Sequence, residues 1–134
     1  MTHEIKLSET LSYDTVVCGG GPSGIAAALA VRKSGASVLV VESRGQLGGM
    51  GTSAMVSHWL SGRTTDCKYW VIGGIFRELS LGAAKAGAAK IPDVAPNDGL
   101  SPHGWGRRGK TTAGIPFDPF RMASFLEEEL VRTG

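Results

Sequence analysis

Only two cysteines, Cys18 and Cys67, occur in 134 residues, and they stand far apart, in neither a C-x-x-C pair nor a ligand cluster. That excludes a disulfide framework and a thiolate metal site, and it suits a reducing compartment. No stretch approaches the roughly 18 consecutive apolar residues of a membrane span. The opening residues 1–11 are polar, carry two glutamates and hold no apolar core of signal-peptide length. A cytoplasmic protein without a membrane partner is expected. An excess of charge is lacking as well: the formal net charge of +2 gives no electrostatic case for nucleic acid. No interval recurs to suggest repeats, and no segment is of low complexity.

Glycine, by contrast, is abundant. The 20 glycines are roughly twice the usual share, which points to sharp turns and close backbone approach. They concentrate where the chain is most informative. Residues 15–52 read as strand, glycine turn, helix, strand and second glycine turn. Thr15–Cys18 is a short β-branched run that stops at three glycines, as a buried parallel strand does when the backbone turns sharply. Gly19, Gly21 and Gly24 have the G-x-G-x-x-G spacing. One glycine permits the tight turn, one lets a pyrophosphate approach the backbone, and one lets the helix pack on the strand. Pro22 suits the first helical turn, with Ser23 beside it. The helix is the apolar run 25–31, closed by Arg32, Lys33 and Ser34, with Gly35 as its stop.

Residues 37–41 form the second β-branched run and end at Glu42. A carboxylate at the tip of this strand is placed to accept hydrogen bonds from both hydroxyls of an adenosine ribose, and it would repel a 2′-phosphate. The residues therefore favour NAD or FAD over NADP.

After Glu42 the chain continues Ser43, Arg44, Gly45, Gln46, Leu47, Gly48, Gly49, Met50, Gly51, Thr52. With Ala28 in the helix, Gly35 before the second strand, Val38, Glu42 and the pair Gly48-Gly49, the series resembles the FAD-dependent oxidoreductases of the two-dinucleotide-binding-domain type. The resemblance implies a Rossmann-like α/β domain, a parallel sheet with helices on both faces, and FAD as cofactor. It implies that Gly19, Gly21 and Gly24 cradle the pyrophosphate, that Glu42 holds the ribose, and that Pro22, Ser23 and Ser43 are cofactor-binding beside them. Arg44, Gly48, Gly49 and Thr52 would then close over the pyrophosphate and ribityl side. The disulfide-reductase branch of these flavoproteins has a redox cysteine pair after this turn; this chain has none there, which sets that activity aside.

Beyond Thr52 the pattern is less specific. In the resembled family the segment around 53–61 passes near the flavin ring, which makes His58 a conceivable active-site residue, although a histidine beside Trp59 is more often simply packed. Cys67 reads as structural, since one adjacent lysine does not establish a lowered thiol pKa. A helix is expected from about Gly74 toward Lys90, with Ile75, Leu79 and Ala83 on one face. Residues 92–117 are rich in proline and glycine and read as a loop or a short antiparallel excursion. Within them, residues 104–111 match the phosphate-loop pattern G-x-x-x-x-G-K-[ST] letter for letter, but no apolar strand precedes them and no helix follows. Arg107, Arg108 and Lys110 read instead as a solvated basic loop, a candidate contact for an anionic substrate or the flavin phosphates. A last helix is expected over 118–132, with Asp118 as N-cap, Pro119 in the first turn and Met122, Phe125, Leu126 and Leu130 on one face.

The chain thus reads as the N-terminal part of a FAD-binding domain, with a leader at 1–12, a βαβ core at 13–52 and a loop at 92–117. In the resembled enzymes further strands and a substrate domain come later. An incomplete, inactive form is expected, completed by a C-terminal portion or a partner chain and acting on a small-molecule substrate of unspecified type. The other readings are a non-catalytic nucleotide-binding accessory module and an NAD-binding protein.

Overall fold

The computed structural model describes residues 9–60, 62–64, 67–92 and 114–132. The look-alike phosphate loop at 104–111, with Arg107, Arg108 and Lys110, and most of the leader lie outside the described residues.

Strand β1 (Thr15–Cys18) is followed by helix α1 (Pro22–Lys33) and strand β2 (Val38–Val41). The two strands pair in parallel, with Thr15 opposite Val38 and Cys18 opposite Val41. This is the crossover unit that the β-branched runs and the intervening alanine-rich helix specify. A parallel pair cannot be joined by a hairpin, and a helix of three turns supplies the required return.

Two features at the start of β2 hold the register. Asp14 accepts hydrogen bonds from the Ser37 amide at 2.8 Å and its hydroxyl at 2.7 Å. These bonds keep the Asp14 carboxyl below its ordinary value, the Ser37 side chain contributing most. Helix α1 ends as its sequence proposes. Gly35 takes φ +84° and donates to the Arg32 carbonyl at 2.9 Å, while Ala36 donates to Val31 at 3.4 Å. That pair of bonds is the Schellman stop, which needs a left-handed residue and so favours glycine.

Helix α2 (Gly74–Lys85) is shorter than the sequence suggests. The apolar and alanine-rich pattern runs on to Lys90, but Gly87 takes φ +72°, its amide donates to Ala84 and that of Ala88 donates to Ala83. A second Schellman stop therefore ends the helix, and local turn chemistry overrides the remaining alanines. Helix α3 (Pro119–Arg132) begins as expected: Asp118 Oδ1 accepts the Phe120 and Arg121 amides at 2.9 and 3.0 Å.

A small antiparallel ladder joins the segment before α2 to the segment before α3. Strand β3 (His58–Trp59) pairs with strand β4 (Ile115–Pro116). These two-residue strands carry too little alternation to be read from sequence, which leaves a loop and a short antiparallel excursion both open for 92–117. Trp59 lies tilted against Phe76 and Phe117, with ring centroids 5.6 and 5.0 Å away.

The core joins the three helices. Ile25 and Leu29 of α1, Ala83 of α2, Phe117, and Met122, Phe125 and Leu126 of α3 pack together. Gly82 is needed in this layer, because a Cβ there would approach the Phe125 ring to 2.9 Å. The β1–β2 face bearing Val17 receives α1, and Val38 and Val40 border a hollow shared with Leu130 and Val131 of α3. The opposite face bears Val16, Cys18 and Val41, and among the described residues it stands exposed. No described helix is long and apolar enough to cross a membrane.

Candidate dinucleotide-binding site

The site lies where β1 and β2 end. Gly19 follows β1 at φ +104°, a conformation that glycine adopts without strain, and its amide is held by the Val41 carbonyl at 2.7 Å. The chain then turns into α1. Gly24 sits against this turn so closely that a Cβ would lie 1.8 Å from the Gly19 carbonyl oxygen and 3.4 Å from Val17. The third glycine of the motif is thus what allows helix and strand to touch.

Gly21 is the N-cap residue of α1, and α1 has no side-chain cap. A Cβ on Gly21 would meet nothing within 4 Å. The space before it is therefore open, and the first-turn amides, with the positive end of the helix dipole, face it without a side-chain acceptor. That is the arrangement that binds phosphate oxygens. Pro22 and Ser23 occupy exposed positions in the first turn.

Gly20, between the motif glycines, is also constrained. It is buried, and a Cβ there would lie 2.4 Å from Leu47 and 3.3 Å from the Glu42 carboxylate. The G-x-G-x-x-G reading assigns no task to this position, and the signal that could have found it is the run of three glycines. Its amide donates to Glu42 Oε2 at 2.6 Å.

Glu42 is the hinge of the arrangement. Besides Gly20, it accepts the Arg44 amide on Oε1 at 2.8 Å and the Ser43 hydroxyl on the same oxygen at 3.2 Å. The Arg44 amide, then that of Gly20, holds the carboxyl below its ordinary value, with Ser43 adding less. The group is therefore an ionised acceptor at neutral pH. An open hollow of about 180 Å³ adjoins it, lined by Glu42, Arg44, Gly45, Gln46, Leu47 and Glu127. Glu127 comes from α3, and nothing in its local sequence distinguishes it from its neighbours Glu128 and Glu129.

The second glycine turn closes on the first. The Gly48 amide donates to the Gly20 carbonyl at 2.8 Å. Gly48 and Gly49 take φ +99° and +49°, and residues Gly49–Gly51 form a short 3-10 turn. A Cβ on Gly49 would lie 3.0 Å from Gly21 Cα. The pair is thus required both by conformation and by contact. Thr52 is wholly buried, and its hydroxyl donates to the Leu47 carbonyl. Its side chain faces the turn, where its methyl packs beside Gly48.

The eleven residues expected from the sequence to bind the cofactor lie in these two turns, the first turn of α1 and the tip of β2. His58 does not join them: it is half-buried in the β3–β4 ladder opposite Pro116. Cys67 is buried, and Arg63 donates to its carbonyl and to that of Pro92, which ties residues 63, 67 and 92 together. Among the described residues no group of three or more histidine, cysteine, aspartate or glutamate side chains could hold a metal ion. Beside the turns, an apolar hollow of about 270 Å³ opens among the helices, walled by Ile25, Trp59, Phe76, Phe117 and Met122, with no ionisable side chain.

Residues 14–134 match the family model described as FAD dependent oxidoreductase. The chain belongs to this family. Among curated proteins, 4-oxocyclohex-2-ene-1-carboxylate 5-dehydrogenase of Sinomonas cyclohexanicum is 39% identical over 59 residues, which are 44% of this chain and 10% of that enzyme. Among solved structures, the THI4 crystal structure from Thermovibrio ammonificans is similar over 91% of this chain and 36% of its own, with a TM-score of 0.48 and 20% identity. The chain therefore spans about a tenth of the curated relative and about a third of the solved one. For a member of the FAD dependent oxidoreductase family, the open space at Gly21, the uncapped α1 N-terminus and the ionised Glu42 fit a dinucleotide of this class.

Proposed function

We propose that this chain is the FAD-binding portion of a flavin-dependent oxidoreductase that acts on a small-molecule substrate in the cytoplasm. The observation that carries the reading is the juxtaposition of the Glu42 carboxylate with the open N-terminus of α1, tied together through the Gly20 amide. Amides of the first helical turn would bind the pyrophosphate across Gly21. Glu42 would take the adenosine ribose, and the hollow between Arg44 and Leu47 would receive the adenosine side. The Gly48-Gly49 turn would close over the ribityl side. When bound, the flavin accepts a hydride or electrons, and the protein supplies its position and electrostatic setting.

Further strands, from additional sequence or a partner chain, would complete the sheet on the face bearing Val16, Cys18 and Val41. The small share of the curated relative that the chain spans supports this. By themselves, the 134 residues are proposed to bind the nucleotide half without catalysing turnover.

Titration of the purified protein with FAD and with NAD, followed by calorimetry, tests the reading. FAD should bind more tightly than NAD, and Glu42→Ala should weaken FAD roughly tenfold or more through loss of charge-assisted hydrogen bonds. Tighter binding of NAD than FAD, or an unchanged FAD affinity in Glu42→Ala, would overturn it.

A further inference from the structure

The Glu42 carboxylate has an acceptor problem. A carboxylate offers roughly four lone-pair sites. One site on Oε2 takes the Gly20 amide, and both sites on Oε1 are used, by the Arg44 amide and the Ser43 hydroxyl. At most one site is left, since the Ser43 amide also bears weakly on the carboxylate. A ribose diol brings two O–H donors, so one present partner has to leave before both can be accepted.

The three bonds are not equally replaceable. The Gly20 amide is fixed by the turn after β1, at 2.6 Å, and the Arg44 amide by the turn after β2, at 2.8 Å. Both are backbone groups, and moving either would move a glycine turn. The Ser43 bond is the longest at 3.2 Å, comes from a side chain free to rotate about one torsion, and belongs to an exposed residue. Water can satisfy the released hydroxyl at little cost.

We propose that the Ser43 hydroxyl is a stand-in for one ribose hydroxyl: it fills an acceptor position on Glu42 in the unliganded protein and is displaced when a vicinal diol docks. Ser43 is thus a positioning residue that sets a competition for the carboxylate rather than a contact that adds affinity. The inference deepens the nucleotide-binding reading above and rests on it.

The test compares wild type with Ser43→Ala by calorimetry, using ADP and 2′,3′-dideoxy-ADP as probes. Removing the competitor should tighten ADP roughly two- to fivefold, the scale of one exposed hydrogen bond, and leave dideoxy-ADP unchanged. An ADP affinity in Ser43→Ala equal to or weaker than wild type overturns the proposal, as does an equal gain on dideoxy-ADP, which would not depend on the diol. Failure of wild type to bind both ADP and FAD would instead overturn the nucleotide-binding reading, and this inference with it.

Discussion

Glu42 and Gly20 are joined by a 2.6 Å hydrogen bond from amide to carboxylate, so the tip of β2 and the turn after β1 form one unit before any ligand arrives. The Gly48 amide on the Gly20 carbonyl extends that unit to the second glycine turn. Gly20 therefore uses both its backbone groups to hold the site together. Preorganisation of this kind lowers the ordering cost of binding.

Two glycines of the same motif should respond to alanine in opposite ways. At Gly24 a Cβ would lie 1.8 Å from a backbone oxygen, so Gly24→Ala should push α1 off β1 and lower stability by about 2 kcal/mol or more. At Gly21 the added methyl meets nothing and φ is −71°, an ordinary value, so Gly21→Ala should leave the urea midpoint nearly unchanged. It should nonetheless weaken FAD, because the methyl occupies the open approach to the first-turn amides. Denaturation of both variants, with FAD titration of the folded one, separates the two effects. Similar stability loss in both would count against the contacts assigned here.

Acid should loosen the site in a defined direction. Glu42 and Asp14 both have carboxyls held below their ordinary values, Glu42 by the Arg44 and Gly20 amides and Asp14 by Ser37. A depressed folded-state pKa contributes stability that is present above the ordinary value and lost as pH falls through the folded one. The ordinary values are 4.5 for Glu42 and 3.8 for Asp14, so stability should be flat above about pH 5 and decline below 4.5. Glu42→Gln should flatten the upper part of that decline, and Asp14→Asn the lower part. Thermal unfolding between pH 3 and 7 reads the difference.

Asp118 accepts the Phe120 and Arg121 amides and so caps α3, which carries half of the helical core. Asp118→Ala should cost about 1 kcal/mol, and Asp118→Asn or Asp118→Ser much less. Chemical denaturation checks the order. The exposed ion pair between Lys33 and Glu78 should matter far less, since both side chains are more than half accessible and such pairs contribute little.

The legible parts of this molecule are those in which a residue type has only one mechanical use. Gly24 and Glu42 are placed by spacing alone, and Asp118 before Pro119 marks a helix start that the structure keeps. Other features depend on what comes into contact across the fold. Gly20 is buried because Leu47 packs over it, and Thr52 turns inward because the Leu47 carbonyl is there to accept its hydroxyl. The early end of α2 was legible in principle at Gly87, but alanines on either side masked the stop. The two-residue strands around Trp59 and Ile115 are set by tertiary pairing, which leaves no periodic trace in so short a run.

The exposed sheet face has a practical consequence, because its one thiol is a reporter. Cys18 is accessible on that face, whereas Cys67 is 3% exposed. A maleimide should therefore modify a single site on the native protein, at a rate governed by what lies over β1. Fast labelling identifies a bare sheet. Protection of Cys18, relieved by a denaturant, identifies a chain segment or subunit laid across it, so one alkylation time course distinguishes a solitary βαβ unit from one embedded in a larger enzyme.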